Sequence, residues 1–466
     1  MKITRGLMPC QVFQRDAHGR ATISFAGSST AEGEVWTRAV APKGWDGKPL
    51  PDWRKAGLAN DGGWEASVAN LPAGGPFRIE AEIRGAGQER LASVGVPEIL
   101  VGDLWVLAGQ SNMEGVGILR DVESPHPLVR NFEMSGVWKR AEEPLHWLPE
   151  SPDPVHWWGM TEAQRDEFVP TYRRDRDRGA GLGLPFAKRL VEATGVPVGL
   201  IPAAHGGTNM EQWDPAKRTM GGNSLYGSML RQVKAAGGRV AGVLWFQGES
   251  EGFETEPSPF LDRFLALVTA VRFDFDAPEL PFLYVQIGRA VMPGIPSARW
   301  TEIRELQRQA LGRLKHAAMV TAVDLPLEDG IHIATPGLKV LGTRLAGQAL
   351  RLLGRDRKTG PGPGFRSAEP EGEKRDQVRV WFDGCNGDLA PDRLVRGFSI
   401  RDAAGKDLEM VFEAMPDPRQ PGSVLVLLRA PVPDGSFLFY GWGTDPACNL
   451  ADSAGCAAPA FGPVPL

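Results

Sequence analysis

Ser111, Asp329 and His332 are the residues whose types and surroundings could together carry acyl transfer. A serine hydroxyl is a weak nucleophile at neutral pH; it needs a base, and the base needs an orienter. Ser111 stands in DLWVLAGQSNMEG, two residues beyond the end of an apolar run. Of seven histidines, His332 is the best base, because it lies in LPLEDGIHI just after the apolar run AAMVTAVDL. Asp329 precedes it by three residues, close enough in one loop to accept the Nδ1 proton and hold the ring. Asp324 falls too early, on the strand itself, and ranks below Asp329; Glu328 is the fallback. A tetrahedral intermediate also needs donors for its oxyanion. Gly206 and Gly207 in IPAAHGGT, and Gln247 in WFQGES, offer backbone and carboxamide N–H groups after two further apolar runs.

Each motif has a plainer reading. Ser-Asn after a strand is commonly a turn, and a lone Asp-x-x-His carries no more weight. Their joint placement at strand ends is what points to a serine hydrolase. Asn112, His205, Gly206 and Glu249 are supporting or substrate-contact candidates. His205 could equally be structural, and Glu249 reads better as a buried carboxylate tying adjacent loops together. Trp147, Trp157 and Trp158 fall in a long irregular region, 116–179, where they could stack on sugar rings or simply pack the insertion down. The mixed run YRRDRDRG, 172–179, reads as a solvated loop; an arginine from it that reached the cleft could pair with a substrate carboxylate.

These residues need a scaffold that brings strand ends together. LWVLAG, GVPVGLI, RVAGVLWF, PFLYVQIG and AAMVTAVDL are predominantly apolar and β-rich, as strands covered on both faces are. Leu261, Phe264, Leu265 and Val268, and likewise Ile303, Leu306, Ala310 and Leu314, follow helical spacing between them. The alternation predicts a doubly wound, mostly parallel α/β domain over 98–358, with its functional groups at the carboxyl ends of the strands. Before it, alternation such as PFRIEAEIR predicts an N-terminal β-sandwich over 1–97. After it, TGPGPG at 359–364 reads as a linker, and QVRVWF, LVRGFSI, SVLVLL and SFLFYGW predict a second β-sandwich or jelly roll over 365–466.

Composition narrows the partners. The net charge of -5, from 57 acidic and 52 basic side chains, gives no positive field for nucleic acid. No run is apolar for the roughly 18–20 residues that span a bilayer, so no membrane partner is expected. MKITRGLMPCQVFQRD lacks the apolar core of a signal peptide, which reads as cytoplasmic, or as secreted or periplasmic if a signal was removed. Cys10, Cys385, Cys448 and Cys456 are too few and scattered for a disulfide framework or a metal cluster. Cys448 and Cys456 could close a small loop or stay unpaired. Neither a metal nor an organic cofactor is implied.

The chain resembles the sialate O-acetylesterase-like branch of the SGNH hydrolases. The resemblance rests on five blocks in order: VGDLWVLAGQSNMEG, VPVGLIPAAHGGTNMEQW, VLWFQGES, IRELQRQAL with DGIHI and LGTRLA, and the ending FLFYGWGTDPACNLADSAGCAAPAF. It implies an SGNH-type α/β fold flanked by β-domains and an acetylated carbohydrate as substrate. By the same resemblance Ser111 is the nucleophile, His332 the base and Asp329 its orienter, with Ser111 N–H, Gly207 N–H and the Gln247 side chain as oxyanion hole. His205 and Glu251 depart from the family's usual residues, which bears on substrate identity. The family also includes esterases of acetylated plant polysaccharides such as xylan, xyloglucan and pectin. A non-catalytic glycan-binding protein and a lipid esterase or thioesterase are the readings from other classes.

Overall fold

The alternation in PFRIEAEIR becomes the strand Gly74–Arg84, which buries Phe77, Ile79, Ala81 and Ile83 and exposes Arg78. In this computed structural model, which describes residues 1–256 and 259–466, that strand belongs to a long antiparallel path. The order is Lys2–Arg5, Arg20–Ser28, Gly63–Pro72, Arg54–Asn60, Gly33–Val40, Gly74–Arg84 and then β1, Arg90–Gly109. Ile23, Phe25, Val35, Phe77, Ile79 and Ile83 fill one core inside it. Hydrogen bonding thus makes one continuous path of the N-terminal strands, without a break into two separate sheets.

β1 is 20 residues long and changes partners along its length. Its first half pairs antiparallel with Gly74–Arg84. From Asp103 to Gly109 it lies in a parallel sheet made with β2 (Val129–Phe132), β3 (Val198–Pro202), β4 (Gly242–Phe246), β5 (Phe282–Gln286) and β6 (Ala317–Thr321). Spatial order is β2-β3-β1-β4-β5-β6, with Trp138–Arg140 antiparallel at the outer edge of β2. Residues 97 and 98 therefore sit inside a single strand, and the chain passes from one core to the next without a linker there. Every residue of β3, β4 and β5 is buried, which requires cover on both faces.

Eight helices accompany these strands among the described residues: α1 (Ser111–Glu114), α2 (Glu162–Asp175), α3 (Gly183–Thr194), α4 (Leu225–Ala236), α5 (Glu249–Gly252), α6 (Phe260–Asp274), α7 (Ser297–Leu311) and α8 (Thr335–Leu352). α6 realises the first helical pattern of the sequence in full, whereas α7 carries Ile303, Leu306 and Ala310 but ends at Leu311, before Leu314. The region 116–179 is less irregular than its composition suggests, because it holds α2 and the two strands at 129–132 and 138–140. α2 buries no residue and has no apolar stripe, so periodicity passes over it. Its start is nonetheless written in the chain as a capping box, Thr161 with Gln164.

Beyond Gly364 a four-stranded sheet (Gly364–Glu371, Gln377–Asp383, Ser423–Leu428, Val411–Pro416) and a three-stranded sheet (Phe398–Arg401, Phe437–Tyr440, Phe461–Pro465) share one core. The fold is mixed α/β: one large mixed sheet, with further β-sheets toward the carboxyl end. Arg304 of α7 fastens the last part to the first. Fully buried, it donates to the carbonyls of Ile287 and Gly288 after β5, and of Gly441 and Gly443 from the last segment, at 2.5–3.2 Å. Burial pulls its guanidinium down to about 10, since carbonyl dipoles rather than a carboxylate are what receive it. Arg304→Ala strands four buried carbonyls at once, and we expect a loss of about 3 kcal/mol or more. Thermal unfolding checks this; a melting temperature within a degree of the wild type would reject the clamp.

Candidate active site

Gly109 ends β1 with φ +134°, and a Cβ there would stand 2.1 Å from the Phe246 carbonyl oxygen. Only glycine lets the strand turn this close to β4. Gln110 N–H then bonds to Phe246 O at 2.9 Å, and α1 begins at Ser111. Ser111 thus stands just past the carboxyl end of the sheet's central strand, beside the point where strand order reverses, where open α/β sheets bind their ligands.

His332 Nε2 lies 3.0 Å from Ser111 Oγ, and His332 Nδ1 lies 3.0 and 2.9 Å from the two oxygens of Asp329. The loop carrying them is pinched by a bridge between Leu327 and Ile333 and by Glu328 N–H on His332 O at 2.7 Å. Burial pushes the Asp329 carboxyl up, but hydrogen bonds from the His332 ring and from the His332 and Ile331 N–H groups outweigh it. The net shift is well below the usual carboxylate range, so Asp329 stays an acceptor for Nδ1–H. Arg178 Nη1 donates to Asp329 Oδ2 at 2.8 Å, so one arginine of the 172–179 run does reach the cleft, with its side chain 42% exposed.

Asn112 joins three of the converging loops. Its carbonyl oxygen accepts from Ile333 N–H at 2.9 Å, and its Nδ2 donates to Glu249 Oε1 at 2.7 Å. Glu249 is fully buried, and burial raises its carboxyl to about 7. It lies where the tying-carboxylate reading puts it, under the site.

Gly206 packs on Ser111: a Cβ on it would come 3.4 Å from Ser111 Cβ. Its N–H donates to Glu114 Oε2 at 2.9 Å, which leaves the next N–H, that of Gly207 at φ +69°, without a protein acceptor among the described residues. Ser111 N–H is free in the same sense. Two unpaired backbone donors beside the serine are what a tetrahedral oxyanion requires. Gln247 departs from expectation. Fully buried, its carboxamide nitrogen donates to Thr208 O at 3.2 Å and to the carboxylate of Glu251, so both N–H bonds are used. The turn at Gly248 into α5 brings Glu251 back over Gln247, and Glu251 in turn accepts from Met210 N–H at 2.5 Å. Gln247 therefore supports the 205–210 loop from beneath and has no N–H left for an oxyanion.

His205 lies next to Gly206 and is 7% exposed, with its Nδ1 3.0 Å from Nδ1 of His156. Trp147 and Trp157 are packing residues, covered by Arg173 and Arg165 respectively. Trp158 is 48% exposed and stands edge-on to His205. Asp324 is taken up by Arg344, at 2.6 and 2.8 Å, and Glu328 accepts from Thr335 N–H. All four cysteines, Cys448 and Cys456 included, are free thiols. Among the described residues no cluster of three or more His, Cys, Asp or Glu is placed to hold a metal ion, and no helix is long and apolar enough to cross a membrane.

Sequence reading missed Glu114 and His156. Glu114 carries a faint signal, an acid three residues after the serine. His156 carries none, since its partner is 49 residues away. Burial raises the Glu114 carboxyl to about 7, against the pull of Arg176 and of Gly206 N–H. The unfolded chain ionises this group near its ordinary value while the folded chain keeps its proton, so stability falls as pH rises from about 4.5 to 7. We expect Glu114→Gln, which keeps an acceptor for Gly206, to flatten this loss by of the order of 3 kcal/mol. Melting temperatures at pH 5 and pH 8 test it; parallel slopes for variant and wild type would contradict the burial argument.

Residues 101–351 match the family described as carbohydrate esterase, sialic acid-specific acetylesterase. A protein of Arabidopsis thaliana named "probable carbohydrate esterase" is 27% identical over 267 residues, covering 52% of this chain and 88% of its own length. Human sialate O-acetylesterase is 23% identical over 300 residues; the match covers 56% of this chain and 54% of the human protein, about half its length. The crystal structure of a carbohydrate acetylesterase from Xanthomonas citri superposes with a TM-score of 0.67 at 23% identity, over 99% of this chain and 98% of the other, so the fold is shared from end to end.

Proposed function

The chain belongs to the family of carbohydrate esterases described as sialic acid-specific acetylesterases, and from that premise we propose a serine-dependent mechanism for the removal of acetyl groups from sugar hydroxyls. The observation that carries it is the contact series Ser111 Oγ, His332 Nε2, His332 Nδ1 and Asp329, each step at 2.9–3.0 Å. Ser111 Oγ attacks the acetyl carbonyl carbon and passes its proton to His332 Nε2. The oxyanion is received by the N–H groups of Ser111 and Gly207. As the ester C–O bond breaks, the departing sugar oxygen takes the proton from His332. Water, deprotonated by the same nitrogen, then releases acetate from Ser111. Asp329 keeps the ring in the tautomer whose Nε2 can accept, and it stabilises the imidazolium when that forms.

We read 98–358 as an SGNH-type hydrolase domain, 1–97 as a β-domain continuous with it through β1, and 365–466 as a β-sandwich domain. A sialic acid is the favoured sugar. Arg178, partly exposed and already paired with one carboxylate at the cleft, gives a second, substrate-borne carboxylate a guanidinium to meet. Acetate release from O-acetylated sialic acids, acetylated xylan, acetylated xyloglucan and acetylated pectin is the deciding experiment. We expect the sialic acids to react at least tenfold faster by kcat/KM, the size of one charge-assisted contact. Release from the polysaccharides alone would replace sialate with plant-cell-wall substrates. No release from any of them would leave a glycan-binding role and defeat the esterase mechanism.

A further inference from the structure

Behind His205 runs a chain of buried polar contacts that the acyl-transfer steps do not use. Asp153 pairs with Arg231 at 2.9 Å through one oxygen and accepts the Ser228 hydroxyl at 2.7 Å through the other. Ser228 Oγ lies 3.1 Å from His156 Nε2, and His156 Nδ1 lies 3.0 Å from His205 Nδ1. His156 and Ser228 are both sealed from solvent.

Counting protons along this chain fixes each tautomer. Ser228 has a single hydrogen and gives it to the Asp153 carboxylate. The contact between Ser228 Oγ and His156 must therefore use a hydrogen on His156 Nε2. A neutral His156 then has a bare Nδ1, which can only accept, so the hydrogen between the two rings belongs to His205 Nδ1. Burial lowers both imidazoles below their ordinary range, which keeps them neutral. What remains is His205 Nε2, a lone pair with no protein donor. Nor is that nitrogen sealed from solvent. His205 directly precedes Gly206, which packs on Ser111, and its ring meets the exposed Trp158 of the insertion edge-on.

We propose that His205 is a specificity residue of the esterase: its Nε2 lone pair accepts a hydrogen bond from a free hydroxyl of the sugar that carries the acetyl group. The inference rests on the serine-esterase reading above. It assigns the preceding chain, Asp153, Ser228 and His156, the work of holding His205 in the accepting tautomer, so that a sugar hydroxyl is received and an ether or a hydrogen at that position is not. Trp158 walls the same space and gives the sugar ring an apolar neighbour.

The test uses the full chain and a series of monoacetylated sugars of whichever class the wild type hydrolyses. Each member of the series has one free hydroxyl replaced by hydrogen. With the wild type, one of these replacements is expected to lower kcat/KM about tenfold, the worth of one hydrogen bond to a buried acceptor. In His205→Phe that penalty collapses to less than about twofold while the penalties at other positions stand. A penalty profile identical to the wild type's overturns the proposal. Because His205→Phe disturbs a packed site, Ser228→Ala provides a second reading from outside the cleft. It is expected to erode the same single penalty, and Ser228→Thr, which keeps the hydroxyl, to restore it; an intact penalty in Ser228→Ala refutes the tautomer lock. Failure of the underlying reading looks different, because Ser111→Ala would then remain active on every member of the series.

Discussion

Ser111→Ala is expected to lower kcat/KM for p-nitrophenyl acetate, and for the acetylated sugars alike, by roughly 10⁴-fold or more. The loss falls on kcat, since alanine removes the atom that forms the acetyl-enzyme and leaves the two backbone N–H donors where they are. What survives is the modest rate that an oxyanion site and bound water can sustain. The variant should fold as the parent does. Ser111 Oγ makes its one side-chain contact with His332, and no core residue loses a neighbour, so the melting temperature is expected to move by no more than about 3 °C. Wild-type turnover in this variant would end the serine assignment. A collapse of the melting temperature would instead call for Ser111→Cys, which keeps a nucleophile of similar size.

Asp329→Asn is the second large effect, and its cause is different. The carboxylate now accepts four hydrogen bonds: the backbone N–H groups of His332 and Ile331 on Oδ1, Arg178 on Oδ2, and His332 Nδ1–H, which lies within reach of both oxygens. A carboxamide can keep the backbone bonds through its oxygen and present its NH₂ to the ring. Nδ1 must then be the bare nitrogen and Nε2 the protonated one, which leaves Ser111 without a base. We expect kcat for p-nitrophenyl acetate, which has no carboxylate for Arg178 to meet, to fall by about 10⁴. Measured rates within tenfold of wild type would mean that Asp329 orients nothing, and that Arg178 and the loop backbone hold His332 unaided.

The parts of this site legible in the sequence are those in which a residue's neighbours in the chain are also its neighbours in space. Asp329 and His332 share one loop, and Ser111 follows directly on an apolar strand. The five runs can be read as buried strands because nearly every residue in them is apolar or small, a pattern with one physical cause. Gln247 shows where such reading stops: its carboxamide identifies a donor, but only the fold reveals that Glu251 and the Thr208 carbonyl have taken both hydrogens. The same holds for His156, which sits in the insertion with nothing around it to announce a ring 49 residues away. α2 escaped for the opposite reason, being a helix that buries nothing and so leaves no periodic trace.

The seam made by Arg304 continues into the catalytic loop. Ala290 N–H donates to Thr444 O of the last segment at 2.8 Å, and the next residue, Val291, donates to Gly330 O at 2.8 Å, between Asp329 and His332. Two backbone bonds therefore separate the carboxyl-terminal β-structure from the loop of His332, the proposed general base. A piece joined in this way is not an interchangeable attachment. Swapping it for an unrelated module, or trimming it to make a smaller catalyst, would take away the backing against which His332 is aimed. Lineages that rearrange such chains are then constrained to inherit the hydrolase and its tail together.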